Sequence, residues 1–224
     1  MRLSFGTRAG AALILLGSLE LSGCASMNRK EQGAVIGGAA GGTIGAVIGK
    51  NNGGTAKGAI IGAAVGGAIG AIIGHQMDQQ AKEIRQNIPG AVVERVGEGI
   101  QVTFESGLLF DFDSDQIKDA AASNLQNLAK SLDNYPKTDL LIVGHTDAQG
   151  SDSYNAELSQ RRAQTTARYL ESAGVDPSRL RTMGRGESEP VADNTTAAGQ
   201  QANRRVEVAI YASEALKAQL AKQR

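Results

Sequence analysis

Three small constellations in the C-terminal half have residue types that could do chemistry. Asp111, Asp113 and Asp115 alternate like the first ligands of a calcium loop. The sixth position, however, is Gln116 instead of Gly and the twelfth is Ala122 instead of Glu, so the cage cannot close. His145, Asp147 and Ser153 supply the types of a hydrolase triad, yet no Gly-x-Ser-x-Gly elbow exists to present a nucleophile. His145 and Asp147 also fall on the same side of an extended segment, as metal ligands do, but with 2 His and 1 Cys in the chain no further His or Cys lies near them. A lone histidine at a strand end is more often a hydrogen-bonded structural residue. Asp147 and Arg162, fifteen residues apart, read on their own as a surface ion pair. The expectation is a protein that is not an enzyme, with no catalytic residue, metal or cofactor.

These residues sit in a region of alternating strands and helices, residues 91–212. Val92–Val96, a Gly97-Glu98-Gly99 turn and Ile100–Phe104 predict a hairpin. Ile117, Ala121, Leu125, Leu128 and Leu132 step by four, four, three and four, the apolar face of a helix that must end before Pro136. Leu140–Val143 has the composition of a buried strand. Tyr154–Ser172 reads as a second helix closed by Gly174, with Leu180–Met183 a short strand and Arg205–Tyr211 an alternating last one. The order β-β-α-β-α-β-β predicts an α+β sandwich, a mixed sheet with helices on one face. Residues 213–224 read as an exposed tail without a strong face.

The N-terminal third differs in composition. Of 29 glycines, 15 fall between Gly33 and Gly74. Gly33, Gly37, Gly41, Gly45 and Gly49 recur every four residues, as do Gly58, Gly62, Gly66, Gly70 and Gly74 in a second copy 25 residues on. A four-residue step is a helical stripe on which two backbones can approach closely. Residues 33–74 are therefore expected to form a glycine-zipper helical hairpin turning at Asn51–Gly54. Five glycines cost each arm roughly 4–5 kcal/mol relative to alanine, so such a helix needs a partner or a lipid environment. A thinned membrane hairpin, an oligomerising element and a flexible tether are the alternatives, with association favoured by the strict step. Residues 75–90 read as a polar connector without a buried stripe.

Ahead of the repeat, Met1–Gly23 has Arg2 and Arg8, an apolar run at Ala11–Leu16 and small residues before Cys24, the pattern of a secretory signal too short to span a membrane. Leu21-Ser22-Gly23-Cys24 resembles a bacterial lipobox, with Cys24 the acylated first residue of the mature chain and 24–32 a lipid-anchored linker. Ala25 follows, with no Asp to signal inner-membrane retention, so the expected address is the cell outer membrane, the following domain facing the periplasm. The chain balances 23 basic against 23 acidic side chains, with 15 against 19 over residues 87–224, so no large positive field exists to hold nucleic acid. A single cysteine excludes a disulfide scaffold.

From Gly144 the motifs become specific. GHTDAQGSDSYNAELSQRRAQ, then Gly174-Val175, Arg179-Leu180, Gly184-Arg185-Gly186-Glu187 and Pro190, then Asn203-Arg204-Arg205-Val206-Glu207, with Phe112-Asp113 ahead of the first helix, resemble the C-terminal domain of the OmpA family over about residues 92–212. The whole layout resembles YiaD-type lipoproteins. Gly199-Gln200 departs from the family's common Gly-Arg and loses a charge there. The resemblance implies non-covalent binding of peptidoglycan through the diaminopimelate of its stem peptide, tethering outer membrane to wall. It implies Asp147 for the ligand ammonium and Arg162 for its carboxylate, the latter through paired charge-assisted hydrogen bonds. Asp113 and Asn155 complete the implied pocket, with Phe112, Thr146 and Leu158 beside it and Arg205 a weaker member. The alternative is a membrane-inserting zipper oligomer that the OmpA-like domain merely localises to the wall.

Overall fold

Apolar alternation on the last strand sets the layout. The computed structural model describes residues 54–111 and 113–223. In chain order the elements are α1 (Thr55–Ala63), α2 (Gly67–Asn87), β1 (Val92–Val96), β2 (Gly99–Glu105), the short α3 (Ser106–Leu109), α4 (Asp119–Asn134), β3 (Thr138–Gly144), α5 (Asp152–Ser172), β4 (Leu180–Gly184), α6 (Ala197–Asn203), β5 (Arg205–Ala212) and α7 (Glu214–Lys222). The strands form one sheet in the order β1-β2-β5-β3-β4, antiparallel throughout except for the parallel β3–β4 pair. On β5, Val206, Val208, Ile210 and Ala212 face the main core, while Ala209 and Tyr211 face a second, smaller cluster on the other side, as a period of two requires.

The expected mixed-sheet sandwich stands, with α2, α4 and α5 on the main-core face. Leu125, Leu128 and Leu132 of α4 are fully buried there, as their spacing predicted. Arg179 ties that helix to the sheet, donating to the Leu132, Tyr135 and Thr138 carbonyls at 3.2, 3.1 and 2.7 Å. The Leu132 and Tyr135 carbonyls are ones that the helix end would otherwise leave unpaired, and Thr138 opens β3.

The other face is where the structure adds most. There α1 packs Ala56, Ala59, Ile60 and Ala63 against Leu141, Val143, Ala209 and Tyr211. The second glycine copy is therefore not one helix, as its period suggested. It breaks at Ala64–Gly66, where Gly66 and Gly67 both take positive φ (72° and 62°), a conformation that glycine adopts without strain. Glu98, in the β1–β2 turn, accepts hydrogen bonds from the Val65 and Gly66 amides at 2.8 and 2.7 Å. A carboxylate there suits the start of α2, where unpaired N–H groups gather. The chain thus crosses from one sheet face to the other at the β1 edge.

Two further expectations need correcting. Residues 75–90 are not a connector without a stripe, since α2 runs through to Asn87 and buries Ile73, Met77, Ala81 and Ile84 in the main core, with Ile88 just beyond. These steps of four, four, three and four match those of α4 and give the glycine-poor end of the repeat its partner. Fully burying such side chains stabilises by about 1.5–3 kcal/mol each. The tail is likewise docked, because α7 places Leu216 and Leu220 in the same core. Among the described residues no helix is long and apolar enough to cross a membrane. Cys24, the signal segment and the first glycine copy lie outside the described residues.

Candidate functional site

The site begins with two glycines that let α5 touch the sheet. A Cβ on Gly144, at the end of β3, would meet the Ser159 carbonyl oxygen at 2.1 Å, and one on Gly184, at the end of β4, would meet the Gln160 amide at 2.5 Å. With no side chain at either position, α5 lies directly on the ends of the parallel pair. Asp147, three residues past Gly144, and Arg162, one turn past Ser159, are thereby carried to the same place. The helix starts where the sequence allows it to, with Ser151 capping the Tyr154 amide at 3.3 Å and Asp152 in the first turn.

Between the β3–α5 loop, α3 and α5 lies a pocket of about 380 Å³. Asp147, Arg162, Asp113, Asn155, Thr146 and Leu158 all line it. Phe112 lies outside the described residues; Phe110 lines the pocket, with the Arg162 guanidinium carbon 5.3 Å from its ring centroid. Arg162 is 3% exposed and donates through Nε to the Ser114 carbonyl at 2.9 Å. No hydrogen bond among the described residues occupies its two Nη groups. Burial pulls its pKa below the ordinary value, with Asp113 and Tyr154 opposing.

Asp147 and Arg162 do not pair with each other, as the two alone suggested. Asp147 instead forms an ion pair with Arg204, and its Oδ1 accepts the Gln149 amide at 3.1 Å. Asn155 donates to the Asp147 and Gln149 carbonyls at 3.3 and 3.0 Å and to Glu187 at 2.7 Å, so here it shapes the loop. Asp113, at φ 56°, accepts from the Tyr154 hydroxyl, and that bond raises the Tyr154 pKa. The Thr146 hydroxyl is buried without a partner among the described residues. Gln200, where a charge is lost, bonds the Asn194 carbonyl and Gln149 at 2.8 and 3.1 Å.

Arg205 is the correction. It lies on the opposite face of β5, 3% exposed, donating to Glu207 at 2.7 Å and to the Asn203 and Glu189 carbonyls at 3.2 and 3.1 Å. The pocket residue is its neighbour Arg204. Strand parity carried that signal: Arg205 shares a side with Glu207 and Tyr211, and the residue before the strand is free to turn toward the β3 end. Phe110, Tyr154 and Gln149 also line the pocket without having been singled out. Among the described residues no cluster of three His, Cys, Asp or Glu could hold a metal ion.

Comparison with known proteins agrees with the fold. The OmpA family model matches residues 109–204, and the YMGG-like Gly-zipper model matches residues 6–78. Probable lipoprotein YiaD of Escherichia coli (strain K12) is 38% identical over 211 residues, covering 89% of this chain and 95% of that protein. Outer membrane porin F of Pseudomonas fluorescens is 46% identical over 111 residues, 50% of this chain and 34% of the porin. Among solved structures, the cell wall anchor of the T6SS from Pseudomonas aeruginosa is 32% identical with a TM-score of 0.54, covering 61% of this chain and 97% of that one. The chain belongs to the OmpA family, with a YMGG-like Gly-zipper ahead of its OmpA domain and likeness to YiaD along nearly its whole length.

Proposed function

We propose that this protein is an outer-membrane lipoprotein that binds peptidoglycan non-covalently through the diaminopimelate of the stem peptide, and so tethers the membrane to the wall. The observation that carries the reading is that Asp147 and Arg162 open onto one pocket without pairing with each other. Diaminopimelate ends in an ammonium and a carboxylate on a single carbon. Asp147 takes the ammonium, exchanging it for Arg204, and Arg162 offers two Nη groups in the planar fork that a carboxylate fits. Thr146 supplies a buried hydroxyl with no partner among the described residues, and Asp113 a further acceptor at the rim. Likeness to a cell wall anchor and to an outer-membrane porin supports the wall and the outer membrane as the setting. The lipobox supports Cys24 as the acylated anchor, with the OmpA domain in the periplasm. The set holds charges in place and is read as a binding site, without catalysis, metal or cofactor.

The test is a pull-down of the full chain on peptidoglycan that contains diaminopimelate and on peptidoglycan with lysine in its place. Tight binding to the first and weak binding to the second is expected, because lysine lacks the carboxylate that Arg162 grips. Equal binding to both walls, or undiminished binding by a folded Asp147→Ala variant, overturns the assignment.

A further inference from the structure

The loop after β4 has two sets of partners on opposite sides of the molecule. On the far side of the sheet, the Glu189 carboxylate receives the Thr55 amide at 3.0 Å and the Thr55 hydroxyl, at the first residue of α1. Arg185 donates to the same Thr55 hydroxyl at 2.6 Å and pairs with Glu189 at 3.2 Å. On the pocket side, the Gly186 carbonyl accepts the Thr146 amide at 2.9 Å and Glu187 accepts from Asn155 at 2.7 Å. Thr146 and Asn155 both line the pocket. Within five residues the loop thus holds α1 from its two ends, at Arg185 and Glu189, and the site from its middle, at Gly186 and Glu187. Thr55 is fully buried and the Glu189 side chain is 7% exposed, so these bonds are made away from solvent.

We propose that Glu189 is a positioning residue for the pocket: by clasping the start of α1, it makes docking of that helix on the sheet and binding of the wall ligand mutually dependent. The inference rests on the function proposed above. Its physical basis is that α1 and the ligand need the same loop conformation. Whichever docks first meets the ordering cost of residues 185–189, and the second docks onto a loop already fixed. The coupling is reciprocal, so ligand tightens α1 as much as α1 tightens ligand. Since α1 is the first described element after the segment leading from Cys24, a pull on the anchor acts first on the element that supports the grip.

The experiment uses the full chain, wild type and three variants. Ile60→Asp places a charge in the cluster beneath α1 and frees the helix without touching the loop. Glu189→Ala removes the clasp, and Glu189→Gln keeps an acceptor for the Thr55 amide and a donor for its hydroxyl. The probes are a soluble stem peptide ending in diaminopimelate, titrated by calorimetry, and amide hydrogen exchange over residues 55–63 and 185–189. Expected are a loss of affinity of about fivefold or more for Ile60→Asp and Glu189→Ala, the low end of typical site-to-site coupling. Recovery in Glu189→Gln, faster exchange at 185–189 in the first two variants, and slower exchange at 55–63 in wild type on adding peptide are also expected. Unchanged affinity in a folded Ile60→Asp or Glu189→Ala protein whose α1 exchanges freely overturns the coupling. Wild type that ignores the peptide defeats the binding reading instead, and the exchange at 185–189 in the variants then decides the structural link between α1 and the loop on its own.

Discussion

Two neighbouring arginines make the same bond in different surroundings. Arg204 pairs with Asp147 at the mouth of the pocket, with side chains 32% and 10% exposed, whereas Arg205 pairs with Glu207 beneath the other sheet face at 4% and 3%. The first pair can open, because water or a ligand charge can replace either partner. The second is held shut, because it is almost wholly buried and Arg205 also holds the Asn203 and Glu189 carbonyls. A guanidinium and a carboxylate therefore make a binding site or a structural rivet according to what else can reach them. The same contrast separates Asp147 from His145, two residues earlier and fully buried, whose Nε2 stands 3.8 Å from Glu207.

The contrast is open to attack at four points. Removing one member of the buried pair, as in Glu207→Ala, leaves Arg205 charged without its partner and is expected to cost about 3–5 kcal/mol of stability. Denaturant titration reads this, and a loss under 1 kcal/mol would dissolve the distinction between the two faces. Removing one member of the proposed ligand-holding set, Asp147→Ala or Arg162→Ala, is expected to cost roughly 2–5 kcal/mol in wall binding, tens- to thousands-fold in affinity. The fold should survive both changes. Arg162→Lys should also bind poorly, for want of the planar fork. The double variant should be little worse than either single one, since both act on one ligand group.

A third point is pH. Burial holds the His145 pKa below its ordinary 6.5, although Glu207 pulls the other way. Burial also works against ionised Glu207, but His145 and Arg205 together draw its pKa below the ordinary value. A folded His145 that stays neutral while the unfolded chain accepts the proton gives stability that is whole above pH 6.5 and declines as pH falls below it. One proton corresponds to a slope of at most about 1.4 kcal/mol per pH unit. Melting between pH 5 and 7 should flatten in His145→Gln, and an unaltered slope would remove His145 from the account. The smallest effect belongs to Arg204→Ala, expected to change stability by at most about 1 kcal/mol because the Arg204 side of its pair is open to water. A loss as large as that of Glu207→Ala would show the pocket pair to be structural as well.

What was legible in the sequence follows from where one period dominates. The rows on α4 and β5 alternate cleanly, and the hairpin, both long helices of the OmpA domain and the β3–β4 pair lie within a few residues of expectation. Six of the eight pocket residues line one cavity because their motifs sit at strand and helix ends that those rows fix. The row Ile73, Met77, Ala81, Ile84 was equally regular, but the glycine step overlapping its first turn and the polar residues between its members hid it. The Gly66-Gly67 doublet permits the break, but its partner Glu98 lies more than thirty residues away in the sequence. The Asn-Arg-Arg motif points to Arg205, whereas the parity of the strand turns that side chain away from the pocket that Arg204 lines.

The buried row on α2 changes what can be cut and grafted. A boundary placed at residue 88, where the polar stretch ends, would strip Ile73, Met77, Ala81 and Ile84 from the main core and lay bare the sheet edge that α1 and α2 wrap. The portable unit for fusing the OmpA domain to another anchor therefore begins near Gly54, just ahead of the second glycine copy. Half of the repeat is in this sense already part of the cargo.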